Sequence, residues 1–294
     1  MEQERLAELK DHSVFVGSNP DLVQASGGNT SWKNGSTVWV KGSGKRLKDA
    51  LAEDIFSEIN FEALTQIEIV GSQDFSAQVA NSTSPSIEAN FHILIENDFV
   101  THLHSLGAIS ISVSSETVRS KISDSSISFV PYRRPGVDLA KAILKTDNFQ
   151  ENTLVLQNHG VIFSDSSCSQ IENKVKIFES MIENLFEEVE QEPLLPNWVE
   201  ILVSGVLTPD EAVFLGRKPF VESELSMTES VSINSDGKLL FPEKFSQDRI
   251  EMARFYVRVA KLIEKKTRVT YLPIEEVDSL LGWDKEKTRI AMAK

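Results

Sequence analysis

The chain carries two glycine-rich runs close together, Gly27-Gly28-Asn29-Thr30-Ser31-Trp32-Lys33 and Val40-Lys41-Gly42-Ser43-Gly44-Lys45-Arg46. A short strand is predicted over Thr37–Val40, and Asn34-Gly35 predicts the tight turn of a β-hairpin. Small residues let backbone N–H groups approach a ligand closely, and such loops suit an anion, most often a phosphate. Two ordinary tight turns explain the same residues equally well, so the runs alone leave both interpretations open.

The composition limits the class of protein. The chain has 294 residues, of which 40% are hydrophobic, which is enough for one large domain or for one domain with a smaller appendage. It has no run of about 18 apolar residues, so no membrane span is predicted. The charged residues at its start predict no secretory leader. A net charge of −14 argues against a nucleic-acid or anionic-membrane partner. The single cysteine, Cys168, fits the reducing cytoplasm, which is the predicted location.

Strands and helices alternate along the first two thirds of the chain, which predicts a layered α/β domain. The predicted helices cover 3–16, Ala50–Ile59, Pro85–Ile95, 106–121, Val137–Leu144 and a long segment from Asp165 or Ser166 to about Glu190. The predicted strands include Gln66–Val70, Phe99–His104, Ile127–Pro131 and Thr153–Gln157. Gln191–Asn197 contains two prolines and is predicted to be a boundary.

Three histidines are candidate metal ligands. His102 and His104 are two residues apart in a predicted strand, so their side chains point to the same side. His159 lies at the end of another predicted strand, just before a glycine. Three imidazoles would hold zinc or a similar ion and leave an open coordination position, as catalytic metal sites do. Taken alone, His-x-His is more often a pair of strand residues with backbone partners.

Glu88 is a candidate for proton transfer. It falls in the first turns of the helix predicted to start at Ser84-Pro85, where the helix dipole stabilises a carboxylate. A glutamate close to a metal-bound substrate can act as general acid and base. An ordinary first-turn glutamate is the simpler interpretation of Glu88 by itself. His92 lies on the same helix face and is predicted to be structural.

Five short motifs occur in an order that resembles one family. They are Gly-Gly-Asn-Thr-Ser (27–31), Val-Lys-Gly-Ser-Gly (40–44), Pro-Ser-Ile-Glu (85–88), His-Leu-His-Ser (102–105) and Asn-His-Gly (158–160). Together they resemble the class II aldolase/adducin family over roughly residues 20–190, and within it the aldolase domain of rhamnulose-1-phosphate aldolases. The resemblance implies a three-layer α/β/α domain with a central mixed sheet over residues 1–192. Residues 193–294 are then a C-terminal α+β extension, to which the resemblance gives no role.

The resemblance also implies roles for single residues. His102, His104 and His159 match the family's ligands of a divalent metal ion, for which zinc is expected. Glu88 matches the acidic residue that moves the proton, and Tyr132 is a candidate for the tyrosine that assists as an acid.

The residues matching the family's anion-binding loops are Gly28, Asn29, Ser43 and Gly44, with Ser86 as the first serine of a Pro-Ser-Ser-Glu motif. Two departures affect the anion. Ile87 replaces the second serine of that motif, and Lys41-Gly42 replaces a Thr-Pro pair. Lys41 is expected either to restore anion affinity through its charge or to form a surface ion pair. Phosphate is the expected anion, and carboxylate is the alternative.

The activity implied by the resemblance is that of a metal-dependent aldolase. Such an enzyme cleaves a ketose 1-phosphate to dihydroxyacetone phosphate and a short aldehyde through a metal-stabilised enediolate, and family members are usually homotetramers. The same family contains epimerases, dehydratases and decarboxylases that share the histidine set, and these remain alternatives. A non-catalytic module like adducin is a further alternative. The presence of all three histidines and of Glu88 argues against it.

Overall fold

The computed structural model describes residues 2–72, 74–122 and 124–284. Its helices are α1 (Glu2–Gly17), α2 (Gln66–Gly71), α3 (Ala89–Leu94), α4 (Leu106–Val113), α5 (Glu116–Arg119), α6 (Val137–Ile143), α7 (Cys168–Glu188), α8 (Trp198–Ser204), α9 (Pro209–Leu215), α10 (Gln247–Ile263) and α11 (Ile274–Gly282). Its strands are β1 (Asn29–Asn34), β2 (Thr37–Lys41), β3 (Phe56–Asn60), β4 (Phe99–Leu103), β5 (Ile127–Val130), β6 (Thr153–Leu156), β7 (Gly160–Asp165), β8 (Phe220–Glu222), β9 (Val231–Ile233) and β10 (Leu239–Leu240). No helix in the described ranges combines the length and apolar character needed to cross a bilayer.

The chain divides into two compact units. The first contains the residues up to Ser105 together with Asp124–Phe178, and the second contains Leu106–Ser123 and the residues from Glu179 onward. Leu106–Ser123 joins the second unit because α4 packs against α10 and Ser114 bridges to Val269. The division into a domain over residues 1–192 and an extension over 193–294 stays a prediction.

A seven-stranded sheet forms the centre of the first unit, with the strand order β3-β2-β1-β4-β7-β6-β5. Adjacent strands are antiparallel except β5 and β6, which are parallel, so the sheet is mixed. The predicted hairpin at Asn34-Gly35 is confirmed, because Gly35 adopts φ +57° between β1 and β2. Strand β4 lies in the middle of the sheet, between β1 and β7.

Helices cover both faces of this sheet. Thr30 and Thr101 pair across β1 and β4 and face α1, where Ser13 Oγ lies 2.7 Å from Thr30 Oγ1 and His12 Nε2 lies 2.9 Å from Thr101 Oγ1. Helix α7 joins α1 on this face, since the Cys168 N–H donates to Glu8 Oε1 at 2.9 Å.

Alternate residues point to the other face, where Val100 packs in an apolar cluster with side chains of α3 and α6. Helix α2 packs on the same face through Ile69 and Val70. The predicted three-layer α/β/α arrangement with a central mixed sheet is therefore confirmed.

Three predicted elements of the first unit are wrong. Ala50–Ile59 is not a helix, because Phe56–Asn60 forms strand β3 and pairs with β2. Gln66–Val70 is not a strand, because a capping box between Thr65 and Glu68 starts helix α2 there. The helix predicted over Pro85–Ile95 begins only at Ala89.

The late start of α3 has a local cause. Ser84 accepts a hydrogen bond from the Ser43 N–H at 3.0 Å, and Pro85 bridges to Gly42, so this segment is extended. A turn over Ser86–Ala89 then leads into the helix, with the Ala89 N–H donating to the Ser86 carbonyl at 3.2 Å. Glu88 therefore precedes the helix as its N-cap residue instead of lying within its first turns.

The second unit contains a three-stranded sheet of order β10-β9-β8 and the helices α4, α5 and α8–α11. A turn at Asp236-Gly237 joins β9 and β10, and Gly237 adopts φ +73° there. Helix α9 starts at Pro209, and Thr208 caps it by accepting from the Glu211 N–H. The predicted C-terminal extension thus contains both helices and strands.

Candidate metal centre

Two histidines project from the middle of the sheet toward the same side. His102 lies in β4 and His104 follows its end, and both side chains are buried. Their Nε2 atoms are 3.0 Å apart. The two-residue spacing predicts this convergence, because alternate strand residues share a face.

His159 completes the cluster from the turn between β6 and β7. This turn is tight: the His159 N–H donates to the Leu156 carbonyl at 3.1 Å, and Asn158 adopts φ +53°. Gly160 allows the turn to approach β4, since a Cβ there would lie 2.3 Å from the Leu103 carbonyl oxygen. The ligand atoms of His102, His104 and His159 all lie within 4.8 Å of one another.

The environment of His102 prepares it as a ligand. Its Nδ1 lies 3.0 Å from the Val161 carbonyl, which can only accept a hydrogen bond, so Nδ1 carries the proton. Burial lowers the pKa of His102 to about 3, so the ring is neutral at pH 7. A neutral ring with a protonated Nδ1 leaves the Nε2 lone pair directed at the cluster.

Glu88 lies beside the three imidazoles. Its Oε1 is 3.3 Å from His159 Nε2 and its Oε2 is 3.8 Å from His102 Nε2. Burial alone would raise the pKa of Glu88. The neighbouring His102 and His159 lower this pKa by a larger amount, so the net shift is downward. The group is therefore a carboxylate at neutral pH, buried at the edge of the histidine cluster.

The cluster fits a divalent metal ion. The buried atoms Asn29 Oδ1 and His159 Nδ1 have no hydrogen-bond partner in the described structure. Buried polar atoms are normally satisfied, so such a group of orphans points to a missing partner. Zinc–imidazole bonds of about 2.0–2.1 Å allow two ligand nitrogens to be at most about 4.2 Å apart. The two ligand atoms that lie farthest apart are within 4.8 Å of each other, so binding zinc would bring them closer by only roughly 0.6 Å.

The first glycine-rich loop contacts the strand that carries the ligands. Gly28 adopts φ +62°, and a Cβ there would lie 3.1 Å from the His102 carbonyl oxygen. Asn29 is opposite His102 in the register of β1 and β4, so both side chains point to the same face. The orphaned Asn29 Oδ1 therefore lies on the same face of the sheet as the histidine cluster.

The second loop contacts the segment that leads to Glu88. Gly42 bridges to Pro85, and Gly44 adopts φ +72°. The Ser43 N–H donates to Ser84, so this donor is used within the protein. Lys41 is buried, and its Nζ donates to the Ser26 and Lys45 carbonyls at 2.8 and 2.9 Å. The expectation that Lys41 sits in a surface ion pair is therefore wrong.

The two remaining predicted site residues lie in turns. The hydroxyl of Ser86 accepts from the Glu88 N–H at 3.2 Å and so shapes the turn before α3. Tyr132 follows β5, and its N–H donates to Gln157 Oε1 at 3.3 Å. Gln157 precedes Asn158 and His159, so this bond joins the Tyr132 segment to the turn that carries the third histidine. The catalytic role of Tyr132 stays a prediction.

Two further histidines contact the strands around the site, one on each face of the sheet. His92 is fully buried, as predicted for a structural residue, and its Nδ1 lies 2.7 Å from Ser31 Oγ. His12, which no sequence motif singled out, bonds Thr101 on the reverse face of β4 and lies 3.2 Å from Glu172. Leu9, His12, Ser13 and Val16 form the buried stripe of α1, and this helical spacing is the sequence signal that could have identified His12.

Comparison with known proteins decides the family. Residues 17–185 match the family model described as the Class II Aldolase and Adducin N-terminal domain. The chain belongs to the class II aldolase/adducin family. The resemblance of the five motifs is thereby confirmed, and the histidine cluster and both glycine-rich loops lie inside the matched residues.

Individual relatives are more distant. An uncharacterized oxidoreductase, YuxG, from Bacillus subtilis (strain 168) is 25% identical over an alignment of 206 residues, which covers 63% of this chain. The match spans only 30% of the length of that relative. Among solved structures, the N-terminal class II aldolase domain of a conserved Thermoplasma acidophilum protein is 25% identical, with a TM-score of 0.49, and covers 60% of this chain and 91% of its own. YgbL from Klebsiella pneumoniae, a candidate aldolase/epimerase/decarboxylase, is 22% identical, with a TM-score of 0.48. The match covers 65% of this chain and 93% of the YgbL chain.

Proposed function

We propose that this class II aldolase/adducin family member is a metal-dependent sugar-phosphate aldolase. It cleaves a ketose 1-phosphate to dihydroxyacetone phosphate and a short aldehyde. The observation that carries the proposal is the convergence of His102, His104 and His159 with the Glu88 carboxylate, which lies 3.3 Å and 3.8 Å from two of them.

The three histidines would hold the divalent ion, and zinc is the ion we propose because imidazole nitrogens suit it. When bound, the ion supplies Lewis acidity that stabilises negative charge on the substrate oxygens. The protein fixes the ligands beforehand: the Val161 carbonyl holds His102 in one tautomer and the close approach of Gly160 places His159. Such preorganisation avoids the energetic cost of arranging the ligands during the reaction.

Glu88 is proposed to move the proton at carbon. In the cleavage, the C4 hydroxyl loses its proton, the C3–C4 bond breaks, and C3 gains a proton to give dihydroxyacetone phosphate. A carboxylate that is ionised before substrate binds can take up the proton that leaves the C4 hydroxyl and deliver it to C3. Tyr132 is proposed to assist at the oxygen of the departing aldehyde.

The anionic end of the substrate is proposed to bind at the glycine-rich loops, through Gly28, Asn29, Ser43, Gly44 and Ser86. Asn29 supports this assignment by its position, because its side chain shares a face with His102 and an asparagine amide nitrogen can donate hydrogen bonds to an anion. A phosphate bound there would leave the reacting carbons of the sugar close to Glu88. The proposal also includes a homotetramer in the cytoplasm, with no nucleic-acid or membrane partner.

A panel of ketose 1-phosphates tests the proposal. The zinc-loaded wild type should release dihydroxyacetone phosphate from at least one of them, measured with a coupled dehydrogenase, and His104→Ala should not. Lys45→Met is the matched control, because Lys45 pairs with Glu53 at the surface and its loss should leave turnover unchanged. Metal binding without triose release would move the assignment to an epimerase, dehydratase or decarboxylase. The absence of both would favour the non-catalytic, adducin-like alternative.

A further inference from the structure

Lys41 connects the two glycine-rich loops through a single ammonium group. It ends β2, and only 4% of its surface is exposed. Its Nζ donates to the Ser26 carbonyl at 2.8 Å and to the Lys45 carbonyl at 2.9 Å. Ser26 immediately precedes the first loop and Lys45 immediately follows Gly44 of the second, so the ammonium holds together the entry of one loop and the exit of the other.

The two acceptors belong to the backbone on either side of the loops. Because a buried lysine is costly to desolvate, its ammonium is held in place by such hydrogen bonds. One side chain therefore fixes two backbone segments relative to each other.

Each of the two loops contacts a different part of the metal centre. Gly28 lies against the His102 carbonyl, where a Cβ would be 3.1 Å from the oxygen. Gly42 bridges to Pro85, three residues before Glu88. The distance between the loops is therefore coupled both to the strand that carries His102 and to the segment that carries Glu88.

We propose that Lys41 is a positioning residue, which sets the separation of the two loops for the phosphate group of the substrate without contacting that phosphate. This inference rests on the proposed function and deepens it. It replaces the expectation that Lys41 is itself a phosphate ligand, because its buried ammonium is already directed at two backbone oxygens. The loops present the donors, and Lys41 holds the two loops at a fixed separation.

The test compares dihydroxyacetone phosphate with dihydroxyacetone. Both compounds share the hydroxyl and carbonyl groups that face the metal centre. The ratio of their dissociation constants therefore measures how much the phosphate group contributes to binding. We would measure this ratio by calorimetry on zinc-loaded wild type, Lys41→Met, Lys41→Arg and Lys45→Met. Lys45→Met removes the same charge from the same loop, but its side chain pairs with Glu53 at the surface.

Lys41→Met and Lys41→Arg should both lose the preference for the phosphorylated compound by about tenfold or more, since misplacement by an ångström can cost about 10²-fold. Their affinity for dihydroxyacetone and their bound zinc should match the wild type. In turnover, KM for the phosphorylated substrate should rise more than kcat falls. Lys45→Met should keep the preference within roughly twofold, because exposed ion pairs contribute little.

Three results would overturn the inference. If Lys41→Arg behaved as wild type while Lys41→Met lost the preference, charge alone would be sufficient and the positioning role would be wrong. If Lys41→Met kept the preference, Lys41 would have no role in phosphate recognition. If the wild type itself showed no preference, the proposed phosphate site would fail together with this inference. A cooperative melt of each variant verifies folding, and Lys41→Arg provides the test if Lys41→Met does not fold.

Discussion

Gly160→Ala is expected to damage the metal centre by geometry alone. The new Cβ would lie 2.3 Å from the Leu103 carbonyl oxygen, 3.1 Å from His104 Cδ2 and 3.2 Å from His102 Cε1. An ordinary carbon–oxygen contact is about 3.3 Å or longer, so the chain at residue 160 has to move by about 1 Å. His159 is the preceding residue, and its imidazole moves with this shift. Metal–ligand distances tolerate only about 0.2 Å, so zinc affinity should fall at least about tenfold.

The assay is a chelator competition that measures the zinc dissociation constant, accompanied by thermal unfolding of the zinc-free protein. Overpacking of this kind costs about 1–3 kcal/mol, which a domain of this size can lose without unfolding. Gly71→Ala is the matched control, because a Cβ added at Gly71, the last residue of α2, would meet no heavy atom within 4 Å. Zinc affinity of Gly160→Ala equal to that of Gly71→Ala would refute the assignment of His159 as a ligand held by this turn.

Three further predictions concern buried ionisable groups. Glu88→Gln should keep its zinc and lose about 10²-fold or more in kcat, measured by triose release, because the amide cannot move a proton. Burial lowers the pKa of Lys33 to about 7, so the unfolded chain binds more protons than the folded chain above that pH. Urea unfolding should therefore show wild type gaining stability relative to Lys33→Met between about pH 7 and 9, by at most about 1.4 kcal/mol per pH unit. Burial raises the pKa of Glu211 to about 8, so its contribution to stability is lost as pH rises toward 8. Glu211→Gln should not show this loss, so its free energy of unfolding should rise by up to about 4 kcal/mol relative to that of wild type between about pH 5 and pH 8. Equal dependence of unfolding on pH in the two proteins would contradict the raised pKa of Glu211.

The convergence of residues within the histidine cluster is partly predictable because some of its signals are local. The strand Phe99–Leu103 is buried along its whole length, and alternation by itself places His102 and His104 on one face. Asn158 and Gly160 are residues that favour a tight turn, and the structure has a turn there between β6 and β7. What the sequence could not show is that the two segments lie side by side, since that depends on the pairing of β4 with β7.

The errors in the fold have physical reasons. The apolar residues of 50–59 fit a helix as well as a strand. Residues 56–60 form strand β3 because they pair with β2, where Val38 and Val40 lie. The alternation in 66–70 favours a strand, but the Thr65–Glu68 capping box overrides it, and that box is readable in the sequence. The position of Lys41 was beyond prediction, because its two acceptors belong to loops whose spacing only the folded sheet defines.

The most direct measurement is the metal content of the purified wild type and of His104→Ala, determined by elemental analysis beside triose release from a ketose 1-phosphate. About one zinc ion per wild-type chain, lost in His104→Ala together with triose release, is the result predicted by a three-histidine catalytic centre. Equal metal content in the two proteins, or triose release that survives loss of the metal, would contradict it.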